Sequence, residues 1–101
     1  MTFEGEPHGS HVSFFLVNNA PGAGPLLHRH PYPETWIVRS GKASFTAGDA
    51  ELEAGPGDIV IVGAGTPHKF KNIGTGQLDI ICIHPSPRMI QEDLEQGSES
   101  R

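Results

Sequence analysis

The chain of 101 residues contains one cysteine, one tryptophan, one tyrosine and two methionines. A lone Cys82 excludes an intrachain disulfide framework and a cysteine-rich metal site. It lies in the run Leu78-Asp79-Ile80-Ile81-Cys82-Ile83, where a buried structural thiol is expected. Long apolar runs are also missing. None exceeds about five residues, far below the ~20 needed for a membrane-spanning helix. Basic residues are few: seven Lys and Arg stand against twelve Asp and Glu, a net charge of −5. That balance argues against nucleic acid or an anionic membrane as a partner. Glu92, Asp93, Glu95 and Glu99 against Arg101 supply −3 of it, so the acidity marks a solvated tail and carries little information about a substrate. Glu4 and Glu6 stand where a signal peptide carries positive charge, and a cytoplasmic location is expected.

Turn formers are abundant. Thirteen Gly and nine Pro make up about a fifth of the chain. Inside helices they cost about 1 and 3 kcal/mol each, which excludes a helix bundle. They separate short runs of Val, Ile, Leu and Phe, predicting strands near 12–18, 26–30, 34–38, 43–46, 50–53, 58–62, 68–71 and 78–84. Short strands at such spacing predict an all-β sandwich or barrel. Ser86-Pro87 resembles a helix start, and Met89, Ile90 and Leu94 could share one helical face. The expected organisation is a loose lead-in over 1–11, a barrel over 12–85, and a short helix with an acidic tail over 86–101. The helix itself is expected near 87–96, with a frayed end beyond it.

The histidines carry the chemistry. On a strand, side chains two apart share a face about 6 to 7 Å apart, so His28 and His30 can converge on one ion. Glu34 follows the bend Pro31-Tyr32-Pro33, which can fold its carboxylate back toward the same point. His68 opens a later strand after Thr66-Pro67. Three imidazoles and a carboxylate suit one divalent transition metal, whether Fe, Mn, Ni, Zn, Co or Cu. An isolated His-x-His is an ordinary surface feature, so the wider pattern decides.

That pattern reads Gly22-x5-His28-x-His30-x3-Glu34-x6-Gly41, then Gly57-x5-Gly63-x-Gly65-x2-His68-x3-Asn72. The first stretch resembles the first signature motif of the cupin superfamily at every fixed position. The second resembles the second motif, with Gly63 where the family usually has Pro. The short gap between them is similar to that of a small single-domain cupin. The resemblance implies a jelly-roll β-barrel, often a homodimer, with metal ligands His28, His30, Glu34 and His68. It also implies a small-molecule ligand or substrate. A metal-dependent enzyme of dioxygenase, isomerase, decarboxylase or lyase type is the leading expectation. A non-catalytic module binding or sensing a small ligand or metal is the alternative.

Strand alternation adds candidate pocket residues. Trp36 shares a face with Glu34, and Phe70 shares one with His68. Each either lines the substrate pocket or fills the barrel. His84 falls on the face of Leu78, Ile80 and Cys82, either as a lumen-facing donor or base or as a strand-end histidine near Pro85. Tyr32 is expected at the rim, and His8 and His11 at the surface.

Overall fold

The computed structural model describes residues 1–95 and is almost entirely strand. In chain order the strands are β1 (Thr2–Phe3), β2 (Ser13–Asn19), β3 (His28–Arg29), β4 (Glu34–Ser40) and β5 (Ala43–Ala47). They continue as β6 (Ala50–Ala54), β7 (Ile59–Val62), β8 (His68–Asn72), β9 (Leu78–His84) and β10 (Glu92–Asp93). They form two five-stranded sheets, ordered β1-β2-β9-β4-β7 and β10-β3-β8-β5-β6. Every pairing is antiparallel. This is the jelly roll that the motifs imply.

Alternation along the strands builds the core. Trp36 and Val38 of β4, Phe45 of β5, Phe70 of β8, and Leu78, Ile80 and Cys82 of β9 all point inward and are buried. Their fixed pleat leaves the intervening residues outside. In register across the first sheet, Phe14, Ile83, Thr35 and Ile61 form one outward row, and Leu16, Ile81, Ile37 and Ile59 another. Ile59 and Ile61 are 63% and 68% exposed.

Both ends of the chain differ from expectation. The lead-in expected to be loose carries β1, paired with Phe14 and Phe15 of β2, and a 3₁₀ turn over Glu6–His8. The helix expected near 87–96 is absent among its described residues, 87–95. Its backbone groups bond to the barrel instead. Pro87 O accepts from Glu6 N at 2.8 Å, Ile90 N donates to Tyr32 Oη at 3.1 Å, and Leu94 N donates to Leu27 O at 2.9 Å. Glu92 and Asp93 pair with Arg29 and His28 as β10. A short isolated helix gains little without an apolar face to bury, and Ile90 and Leu94 remain 49% and 37% exposed. The frayed end expected at 97–101 lies outside the described residues.

Gly41 turns β4 into β5 with φ of +88°, and a Cβ there would meet Gln77 O at 2.6 Å. The left-handed conformation alone costs a residue with Cβ about 1–2 kcal/mol. Gly41→Ala should therefore lower the melting temperature by about 10 °C or more, given 4–8 °C per kcal/mol for a domain of this size. Gly55→Ala, with no atom within 4 Å of the new Cβ, should leave it unchanged or slightly raised. Equal melting curves for the two variants would contradict this account.

Candidate metal centre

The candidate ligands come from both sheets. His28 of β3 is the register partner of His68 at the start of β8, which sets their rings 4.4 Å apart between centroids. His30 lies two residues on, and Gly65 N, in the turn before β8, donates to its carbonyl at 2.7 Å. Beyond the Pro31-Tyr32-Pro33 bend, Glu34 opens β4 on the opposite sheet. The structure brings His28, His30, Glu34 and His68 together: one potential ligand atom from each lies within 4.8 Å of all the others, and all four side chains are buried.

Hydrogen bonding sets the chemistry of these imidazoles. Nδ1 of His28 meets Leu26 O at 2.6 Å, Nδ1 of His30 meets Ile90 O at 2.6 Å, and Nδ1 of His68 meets Thr66 O at 2.9 Å. A carbonyl oxygen only accepts, so each Nδ1 carries the hydrogen and each neutral ring turns an Nε2 lone pair inward. Nε2 of His30 and of His68 lie 3.2 and 3.1 Å from Glu34 Oε1. Neither contact has the directionality of a hydrogen bond, so these buried atoms face one another without partners. Buried polar atoms rarely stay unpaired. Unpartnered lone pairs around a carboxylate oxygen are the donor set a divalent cation needs, and the residues present fit a metal.

A cavity of about 390 Å³ opens onto this cluster, with His28, His30, Glu34 and His84 at its inner end and Phe15, Val17 and Phe70 among its walls. Of the candidate pocket residues, Phe70 and His84 line this cavity. Trp36 takes the other of its two readings: it is 1% exposed and packs against Phe45, His68 and Phe70 beneath the site, outside the cavity lining. Its size suits it to fill the narrow barrel interior. His84 Nε2 is 3.3 Å from Glu34 Oε2, and its Nδ1 is 2.7 Å from Tyr32 Oη. Sequence reading assigned Tyr32 to the rim and missed this bond. It also missed the walls formed by Phe15 and Val17, although their alternation within β2 was a usable signal.

A cupin-domain family model matches residues 15–84, and the chain belongs to the cupin family. An uncharacterized protein of Methanocaldococcus jannaschii is 33% identical over 75 residues, spanning 73% of this chain and 59% of that protein. The oxalate decarboxylase of Lactobacillus farciminis, solved as a formate complex, superposes with a TM-score of 0.83 at 22% identity. That match covers 93% of this chain and 30% of the other. The oxalate decarboxylase of Bacillus subtilis gives 0.80 at 26% identity, covering 87% of this chain and 25% of that one. A Klebsiella pneumoniae protein with a double-stranded β-helix domain gives 0.74 at 25% identity, covering 85% and 72%. The chain therefore spans about three fifths of the archaeal relative and under a third of either decarboxylase.

Electrostatics follow from burial. Burial alone would raise the Glu34 carboxyl, but in the absence of a metal the imidazoles of His30, His68 and His84, when they carry a hydrogen on Nε2, reverse that and hold it well below the usual carboxylate range. His28 is lowered, mainly by burial and against the pull of the Leu26 carbonyl. Burial works against His30 as well, yet Glu34 and the Ile90 carbonyl raise it. Burial pushes the Cys82 thiol far up, with Glu34 adding to the shift, so it is protonated and inert at neutral pH. Because the folded Glu34 holds its proton less tightly than the unfolded one, it stabilises the fold above about pH 4.5 and loses that contribution as pH falls. Urea denaturation of metal-free protein between pH 3 and 7 should show stability falling on the acid side. Glu34→Gln should flatten that slope, and an unchanged slope would remove Glu34 as its source.

Proposed function

We propose that the protein is a metal-dependent enzyme acting on a small, mostly apolar organic molecule that presents an oxygen donor. His28, His30, Glu34 and His68 would hold one divalent transition metal. The observation that carries this reading is the set of three Nδ1–H groups committed to backbone carbonyls around Glu34, beside an open cavity that His28, His30 and Glu34 line. When bound, the metal would supply Lewis-acid polarisation of the ligand oxygen. The protein side chains do the remaining work. Phe15, Val17 and Phe70 give the cavity apolar walls, which lower the local dielectric and strengthen electrostatic contacts at its inner end. Among the described residues no Lys or Arg lines it. That favours a ligand with a single polar anchor over a compact dianion such as oxalate. Dioxygenase, isomerase, decarboxylase and lyase chemistry all begin from such an anchored oxygen.

Metal analysis of untagged protein should find close to one equivalent of transition metal in the wild type. The His28→Ala, His68→Ala double variant should carry at least tenfold less. Equal contents would remove the metal site. Protein reconstituted with Fe, Mn, Ni and Zn in turn should convert at least one compound from a panel of small carbonyl, enol and carboxylate substrates. Full metal loading with no turnover would support the non-catalytic binding module instead.

We also propose that the protein pairs with a second copy. The two uncharged rows on the outward face of the first sheet support this, since contiguous exposed apolar surface marks an interaction site. Light scattering at micromolar concentration should give a dimer, and Ile61→Asp should give a monomer. A monomeric wild type would count against the pairing.

A further inference from the structure

We propose that His84 is a positioning residue for the metal centre. Fixed by Tyr32, it holds Oε2 of Glu34 so that the carboxylate presents Oε1 alone to a metal bound by His28, His30 and His68. This rests on the metal reading above, and it concerns a residue that lies outside both signature motifs.

The argument turns on which atom faces each Nδ1. Three histidines face backbone carbonyls, which fixes their hydrogen on Nδ1 and a lone pair on Nε2. His84 faces a hydroxyl, Tyr32 Oη, at 2.7 Å. That oxygen already accepts the Ile90 N–H at 3.1 Å. Its own hydrogen is free to donate, and His84 Nδ1 is the acceptor within reach. With Oη–H donating to Nδ1, His84 is the opposite tautomer, with its hydrogen on Nε2. Nε2 is buried, has no hydrogen-bond partner of good geometry, and lies 3.3 Å from Glu34 Oε2. An N–H cannot ligate a metal, but it can hold a carboxylate oxygen.

The two carboxylate oxygens are thus sorted. Oε1 faces the lone pairs of His30 and His68, and Oε2 faces the N–H of His84. Packing keeps the arrangement in place. The Tyr32 ring stacks on the His30 ring at 5.2 Å and 2°. Phe15 meets His84 edge-on at 5.4 Å, and His84 itself is 1% exposed. With Oε2 held back, one fewer position on a bound metal would go to protein.

The test uses cobalt(II) titrated into metal-free wild type, Tyr32→Phe, His84→Leu and His84→Gln, followed by visible absorption and X-ray absorption. Tyr32→Phe and His84→Leu should bind cobalt about 10- to 100-fold more weakly, as expected when a partner of a metal ligand is removed. Their visible bands and metal–oxygen distances should shift as Glu34 becomes bidentate. His84→Gln, whose amide restores a donor, should recover most of the wild-type affinity and spectrum. A merely structural role would lower melting temperatures without moving the spectrum. If His84→Leu does not fold, Tyr32→Phe decides alone, because it keeps the ring stack. Unchanged affinity and spectra in the variants would overturn the inference and leave the metal site standing, as would a His84→Gln no better than His84→Leu. Folded wild type that takes up no cobalt would overturn both.

Discussion

Glu34 is a carboxylate buried among imidazoles, and most of the arrangement around it follows from the cost of placing it there. Removing an ion from water costs several kcal/mol unless its partners are well placed. Glu34 is 3% exposed. Its partners are drawn from β8, β9 and the segment between β3 and β4, so no single element could supply them. Each imidazole that approaches it is anchored through its far nitrogen to an oxygen elsewhere in the fold. The rings are held in place by groups that also restrict their tautomers. The anchoring that fixes the rings around the buried carboxylate leaves lone pairs that, with it, form a donor set for a cation.

This dependence explains why the segment after β9 forgoes a helix. A helix over those residues would have spent the Ile90 carbonyl and N–H on its own backbone. In the structure the carbonyl fixes His30 and the N–H fixes Tyr32. Leu94 and Glu95 then fasten the segment to both backbone groups of Leu27, next to His28. The tail is a strap across the open edge of β3, and it contributes directly to the orientation of two site residues.

The contrast between what the sequence revealed and what it hid has the same origin. Strand alternation is local. It correctly placed Glu34 with Trp36, His68 with Phe70, and His84 with Cys82. The positions of turns were legible because Pro fixes its own φ and Gly allows the positive φ that tight turns need. Pairing across long separations was not. Nothing local to Ser86-Pro87 announces that Ile90 will meet His30, sixty residues away. Nor does alternation tell cavity wall from filled core. Trp36 and Phe70 both point inward, yet only Phe70 reaches the cavity, because the larger ring of Trp36 occupies the space beneath the site between Phe45 and His68. Tyr32 was hidden for a third reason: a bend between two prolines gives no alternation from which to read its direction.

Packing beneath the site also bears on what the cavity can accept. Trp36, Phe45 and Phe70 form one aromatic cluster, with centroids 4.7 to 6.1 Å apart, and Trp36 meets His68 edge-on. Such a floor leaves little freedom for the imidazole above it, since close-packed interiors resist even small displacements. His28, His30, Glu34 and His84 gather at one end of the cavity, while Phe15, Val17 and Phe70 make much of its wall apolar, with Asn19 and Gln91 also in the lining. A ligand polar group placed against Phe15 or Val17 would lack a partner, at a cost of about 1–3 kcal/mol. A ligand with one oxygen and an apolar body meets matching surface along its whole length. The cavity thus pairs a preorganised polar end with largely apolar walls, and any selectivity it has would draw on that pairing more than on a single recognition residue.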